Sequence, residues 1–231
     1  MFSLSPEEWV AIGLSLRIAS VATLLSLPLA VATALLLARG RFPGRSLIDG
    51  VVHLPLILPP VVTGFALLLL FGRRGPIGSV LAEMGIVVAF RWTGAALAAG
   101  VMAFPLMVRA IRLSIEAIDP RLEAAAGTLG ANRFWTFLLV TLPLAAPGIL
   151  VGAILAFAKA LGEFGATITF VSNIPGETQT ISAAIYSLTQ TPGGDLAALR
   201  LAIVAGAIAL AALVISELLQ RRAVARVSGL A

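Results

Sequence analysis

Arg121-Leu-Glu-Ala-Ala-Ala-Gly-Thr-Leu-Gly130-Ala-Asn-Arg133, running on to Val140-Thr-Leu-Pro143, is an amphiphilic stretch with apolar runs on either side. Asp119 and Pro120 open it as a turn. Residues 123–129 then suit a short helix with Leu122, Ala125, Ala126 and Leu129 on one face. Small alanines on that face let a second protein come close to the backbone. Gly130 is placed to end the helix, because glycine tolerates the left-handed φ of many helix termini. Pro143 stands where apolar sequence resumes, as it would near the start of a new helix. A generic amphiphilic turn would be read as an interfacial connector. The spacing sets this one apart: Gly130, nine residues, then Val140-Thr-Leu142-Pro143.

The flanking sequence belongs to a membrane. Of 231 residues, 59% are hydrophobic and only 12% charged, and the mean hydropathy is +1.04. A water-soluble core of this length could not absorb that composition. Several apolar runs are long enough to span as helices, which satisfy their own backbone groups in lipid. The formal charge of +5 comes from arginines at the ends of apolar runs, with no patch of interleaved aromatics. The membrane therefore accounts for it, and a nucleic-acid partner is not expected. With no cysteine, disulfides and thiolate metal sites are excluded.

Five spans are expected, over residues 9–38, 47–71, 93–108, 137–161 and 196–219, in one membrane domain covering residues 9–219. Residues 116–138 form a loop within it, and residues 220–231 a tail. One side carries Arg39, Arg41, Arg45, Arg109, Arg112, Arg121, Arg133, Arg221, Arg222 and Arg226; the other has Arg73, Arg74, Arg91 and Arg200. Ten against four places the first group in the cytoplasm, together with the loop and the C-terminus, and the N-terminus outside. Residues 1–8 lack the basic and small-residue features of a cleaved signal, so the first span is expected to be retained, with no room for another ahead of it. Residues 164–194 contain two apolar segments too short to span and turn signals at Asn173-Ile-Pro-Gly176 and Thr191-Pro-Gly-Gly194. They are expected to be external and partly re-entrant, which demands burial in protein or a wet cavity. No internal repeat is evident.

Little enzyme chemistry is available. The single lysine, Lys159, is followed by Ala160, so no Walker A phosphate loop exists. A lone His53 rules out a multi-histidine metal cage, and no nucleophile elbow occurs. Neither metal nor cofactor is expected, and no catalytic residue. A secondary transporter would need buried ionisable groups on several spans, which are scarce here.

The amphiphilic stretch resembles the EAA loop of ABC importer permeases. Beyond it, His53-Leu-Pro-Leu-Ile-Leu-Pro-Pro60-Val-Val-Thr-Gly64, Gly72-Arg-Arg-Gly-Pro-Ile-Gly78, Phe104-Pro-Leu-Met-Val-Arg-Ala-Ile-Arg112 and Gly162-Glu-Phe-Gly-Ala-Thr-Ile-Thr-Phe-Val-Ser-Asn-Ile-Pro-Gly-Glu-Thr178 resemble the molybdate-type permeases. The Gly-Glu-Phe-Gly run is also similar to sulfate-type permeases. This resemblance implies an all-α integral membrane protein of the type I ABC importer permease fold, five transmembrane helices with a cytoplasmic EAA coupling helix, in a bacterial inner membrane. It implies inward transport of molybdate, with tungstate or sulfate as alternatives. It also implies a homodimer with two copies of a separate ABC ATPase and an external oxyanion-binding protein.

The resemblance assigns ATPase coupling to Glu123, Ala124, Ala125, Ala126, Leu129 and Gly130. Counting back from Gly130 puts Ala124-Ala125-Ala126 where Glu-Ala-Ala would sit, with Glu123 one residue early and Val140 in place of isoleucine. The Ala125, Ala126 and Gly130 surface is thus expected to matter more than the carboxylate. For the translocation path the candidates are Pro59, Pro60, Gly64, Lys159 and Glu163. Pro55, Pro59 and Pro60 are expected to kink the second span and Gly64 to allow close helix approach, either shaping a central cavity or merely bending the helix. Lys159 and Glu163, four apart, can pair, either as a staple or as a cationic point on an anion path. His53 is expected at the interface, and Arg17 to snorkel or pair.

Overall fold

A computed structural model describes residues 4–228. Eleven helices follow in order: α1 (Pro6–Arg39), α2 (Arg45–Ile57), α3 (Pro60–Phe71), α4 (Pro76–Glu83), α5 (Trp92–Glu116), α6 (Pro120–Thr128), α7 (Arg133–Thr136), α8 (Leu142–Leu161), α9 (Gly165–Val171), α10 (Ile181–Thr189) and α11 (Asp195–Ser228). A π-helical turn, Phe137–Thr141, joins α7 to α8. Among the described residues, four stretches are long and apolar enough to cross a membrane: Pro6–Arg39, Trp92–Glu116, Arg133–Leu161 and Asp195–Ile215. The paired helices Arg45–Ile57 and Pro60–Phe71 supply a fifth crossing if taken together.

α1 begins with a capping box. The Ser5 hydroxyl accepts from the Glu8 amide at 3.2 Å, and the Glu8 carboxylate accepts from the Ser5 amide at 2.5 Å. At about 1.5 Å per residue its 34 residues reach about 50 Å, well beyond a hydrocarbon core of about 30 Å, so both ends stand in the interface. α5 forms the centre of the bundle through a surface of small buried residues, Gly94, Ala95, Ala98, Ala99, Gly100 and Ala103. Such residues let membrane helices approach closely where no hydrophobic drive exists. α5 packs most extensively on α8 and α1.

Side-chain contacts fix the directions. Arg39 reaches carbonyls of Ile115 and Ile118, while Arg17 stacks over the Trp92 ring at 3.8 Å, so α1 and α5 run parallel. Gly148 lies against Ser114 and Gly152 against Met107, so α8 returns antiparallel. α11 starts beside the first turn of α1, where Arg200 donates to Glu8 at 3.0 Å. One end of the bundle therefore holds α6 with Arg39, Arg45 and Arg112; the other holds the start of α1 and the segments after α8.

The second span differs from the single kinked helix expected over residues 47–71. α2 and α3 meet at 113°. The cause is the tandem proline: Leu58 precedes Pro59 and Pro59 precedes Pro60, and a residue before proline is driven out of the helical region. Leu58 and Pro59 accordingly have ψ of 143° and 134°, which makes a corner rather than a kink. Pro60 then serves as the first residue of α3, where its missing N–H costs nothing. Pro55 sits inside α2.

Other boundaries shift by less. The third span extends to Glu116, and the fourth begins at Arg133 with the π turn inside it. Residues 220–228, expected as a tail, continue α11, and residues 229–231 lie outside the described part. Residues 164–194 hold two short helices, α9 and α10. Their Phe170, Val171 and Ile181 side chains are fully buried, while the turn between them exposes Ser172, Ile174, Pro175 and Gly176.

Candidate functional site: the α6 loop and the α9 cradle

α6 is built by local signals. The Asp119 carboxylate accepts from the Arg121 amide at 2.9 Å, and Pro120 takes the first helical position. At the other end Gly130 has φ of +88°. The Ala131 amide donates to the Ala126 carbonyl and the Gly130 amide to the Gly127 carbonyl, both at 3.1 Å. This is a Schellman termination, and it satisfies carbonyls a helix end leaves orphaned. Asn132 then caps α7 by accepting from the Trp135 amide at 3.0 Å. Three closures within fourteen residues hold the loop in one shape without help from a core.

The outward face is apolar. Leu129 is 89% exposed, and Leu122, Phe134 and Trp135 are exposed with it, the two rings meeting edge to face at 5.8 Å. Ala124 and Ala125 are exposed and Ala126 half-buried. Glu123 points the other way. Its carboxylate lies 3.2 Å from Arg39 Nε and accepts from the Thr141 hydroxyl at 2.9 Å. The six expected coupling residues thus divide: Ala124, Ala125, Leu129 and Gly130 face outward, Ala126 is half-buried, and Glu123 binds the bundle. Phe134 and Trp135 extend the outward face and were not among the expected residues; their neighbouring apolar rings in an otherwise polar loop were the available signal. Arg39 and Thr141 could not be paired with Glu123 from spacing alone.

The path candidates converge on α9. A Cβ on Gly64 would lie 2.4 Å from the Ala166 carbonyl oxygen, so α3 touches α9 backbone to backbone there. Pro60 packs on Gly165 in the same way. Glu163, 2% exposed, receives Lys159 Nζ at 2.6 Å and the Ala166 amide at 3.0 Å. Its carboxylate therefore pairs with the lysine through one oxygen and caps α9 through the other. Pro59 forms the corner into α3 and is exposed. His53 Nδ1 lies 2.8 Å from the Asp49 carbonyl oxygen, in a cluster where Arg112 bridges Asp49 at 3.0 Å and Glu116 at 2.8 Å. Among the described residues no group of carboxylates and histidine could hold a metal ion.

Long apolar helices, a broken second span and a multiply capped helix held out at one end mark a polytopic membrane protein. The chain belongs to the family described as binding-protein-dependent transport system inner membrane component, whose model matches residues 26–229. It is 59% identical over 219 residues to the Molybdenum transport system permease protein ModB of Escherichia coli (strain K12), covering 94% of this chain and 96% of that one. It is 39% identical over 215 residues to the Sulfate transport system permease protein CysW of Synechococcus elongatus, covering 92% of this chain and 74% of the relative. The fold matches that of a bacterial ABC transporter involved in the import of the acidic polysaccharide alginate, with a TM-score of 0.75 and 21% identity over 94% of this chain and 80% of that one.

Proposed function

We propose that this chain is the membrane-spanning subunit of an ATP-driven ABC importer that carries molybdate inward. The observation that carries this is 59% identity to a molybdenum permease over nearly the full length of both chains. In this reading two copies of the permease form the pathway, two copies of a separate ATPase dock on α6 from the cytoplasm, and an external oxyanion-binding protein delivers the substrate. The N-terminus is external and the C-terminus cytoplasmic. The arginine asymmetry supports that orientation, and the start of α1 at the end opposite α6 agrees with it.

ATP binding drives the cycle if the nucleotide-bound ATPase pair favours one of two permease states, which is all a population shift requires. The outward apolar face of α6, Leu129 with Ala124 and Ala125, enters a groove on the ATPase. Gly130 closes that helix in a conformation proline cannot adopt. Around α9, Pro59, Pro60, Gly64 and the Lys159–Glu163 pair act mainly as a scaffold for the segment beside the pathway. The doubly occupied Glu163 carboxylate favours a staple over a free cationic station.

Labelled molybdate uptake into proteoliposomes containing the permease, ATPase and binding protein tests the function. Uptake is expected to require ATP and to be competed by tungstate far more strongly than by sulfate. Equal competition by sulfate would favour the sulfate-type reading that the 39% relative supports, and uptake driven by an ion gradient without ATPase would overturn the importer reading.

A further inference from the structure

We propose that Arg39 and Thr141 are positioning residues, which with the Glu123 carboxylate form a rigid strut carrying movement of α6 into three membrane helices. The proposal rests on the docking role of α6 given above. Arg39, the last residue of α1, contacts two other elements. Its Nη2 donates to the Ile115 carbonyl at 3.1 Å and the Ile118 carbonyl at 3.0 Å, at the end of α5, where final-turn carbonyls need outside donors. Its Nε faces the Glu123 carboxylate. Through its Oε1, Glu123 also accepts from the Thr141 hydroxyl, which is 3% exposed.

Thr141 is the last residue of the π turn, where the Leu142 amide donates five residues back to Phe137. A π turn holds one residue more than the α-helix it interrupts, and such insertions recur at functional sites. One residue corresponds to about 100° of helix rotation, so the insertion sets which side of the fourth span faces α6. The strut therefore joins α6 to the end of α1, to the end of α5 through Arg39, and to the start of α8.

Among the described residues α6 has no other anchor of this kind. None of its residues is buried, and its main backbone neighbours are the π turn and α7. An isolated ion pair in so wet a place would contribute little stability. Its geometry suits transmission: a displacement applied to the Leu129 face reaches the bundle through the one side chain of α6 that is bonded to it.

The test uses the full importer in proteoliposomes and reads oxyanion imported per ATP hydrolysed. Thr141→Val, which removes the hydroxyl and keeps the shape, is expected to lower that ratio by about tenfold, within the usual range for coupling between sites. Thr141→Ser, which keeps the hydroxyl, is expected to match the unaltered importer. Because the chain has no cysteine, Arg39→Cys with Glu123→Cys can be bridged by a short thiol-reactive linker. The ratio is expected to be low before bridging and restored after it. Normal coupling in Thr141→Val, or bridging without effect, overturns the strut. If the cysteine pair fails to assemble, the valine and serine variants decide alone. An unaltered importer that shows no ATP-dependent uptake would instead overturn the functional reading.

Discussion

Leu129 has no reason in the fold to be a leucine. Its side chain stands almost wholly clear of the rest of the chain, so its value must lie in what covers it. Leu129→Asp is expected to weaken capture of the ATPase by tenfold or more, about 1.4 kcal/mol, as for an apolar anchor at an interface centre. The melting temperature of the purified permease should not change; a large fall would mean that the residue serves the fold. Glu163 is the opposite case. Because its carboxylate holds both Lys159 and the start of α9, Glu163→Ala orphans a cation and an amide together and is expected to lower thermal stability by about 3–5 kcal/mol. Glu163→Gln keeps an acceptor for Ala166 and should lose less; equal losses would remove the capping role. The pairing was legible from a spacing of four. The cap was not, because it depends on the chain turning between Gly162 and Gly165. Likewise the one-residue displacement of Glu123 was visible in the sequence, but its partner Arg39 lies 84 residues away, and Arg39 was legible only as a marker of sidedness.

Among the elements, the α2–α3 corner and α9 form one unit. The tandem proline turns the chain, and α3 then lies against α9 so closely that a single methyl cannot be admitted at Gly64. Gly64→Ala is expected to force the two backbones apart and cost about 1–3 kcal/mol. Gly50→Ala, in α2 with nothing within 4 Å of the new methyl, should be neutral or slightly stabilising. Thermal unfolding of the two variants in detergent compares them directly, and equal melting temperatures would refute the close packing. Hydropathy revealed the prolines and the apolar run, yet it led to a kinked span. Composition reports how apolar a segment is, while the angle at Leu58 and Pro59 comes from the φ/ψ restriction of two successive residues. The π turn escaped sequence reading altogether, since Phe137–Thr141 has the same apolar character in α and π geometry. α6 was the most legible element, because Asp119, Pro120 and Gly130 write their closures locally.

At the scale of the whole molecule, the number of crossings, the membrane location and the position of the amphiphilic loop follow from apolar length and arginine placement. Which helices touch does not, because small residues such as Ala95, Ala99 and Gly100 look alike whether they face a neighbouring helix or lipid. The two ends of the bundle are built differently. One end buries short helices, α9 against α3 and α5 and α10 against α11 and α1, with Phe170, Val171 and Ile181 enclosed. The other end is held by side chains: Arg39 with Glu123, Arg112 with Asp49 and Glu116, and Arg45 with Glu116 at 3.8 Å. An apolar enclosure resists deformation, whereas the partly exposed Arg45 and Arg112 pairs around the strut rearrange at small cost. The end that carries α6 is therefore the one fitted to change shape.

Arg39 also sets an order of events in the making of the protein. It leaves the ribosome 84 residues ahead of Glu123, an interval of roughly 4 to 17 s at ordinary rates of synthesis. Throughout that time the first helix has been inserted with its terminal arginine uncommitted, and the carbonyls of Ile115 and Ile118 do not yet exist. Only when Thr141 has emerged is every member of the contact present. A nascent chain therefore cannot complete this contact until more than half of it has been translated.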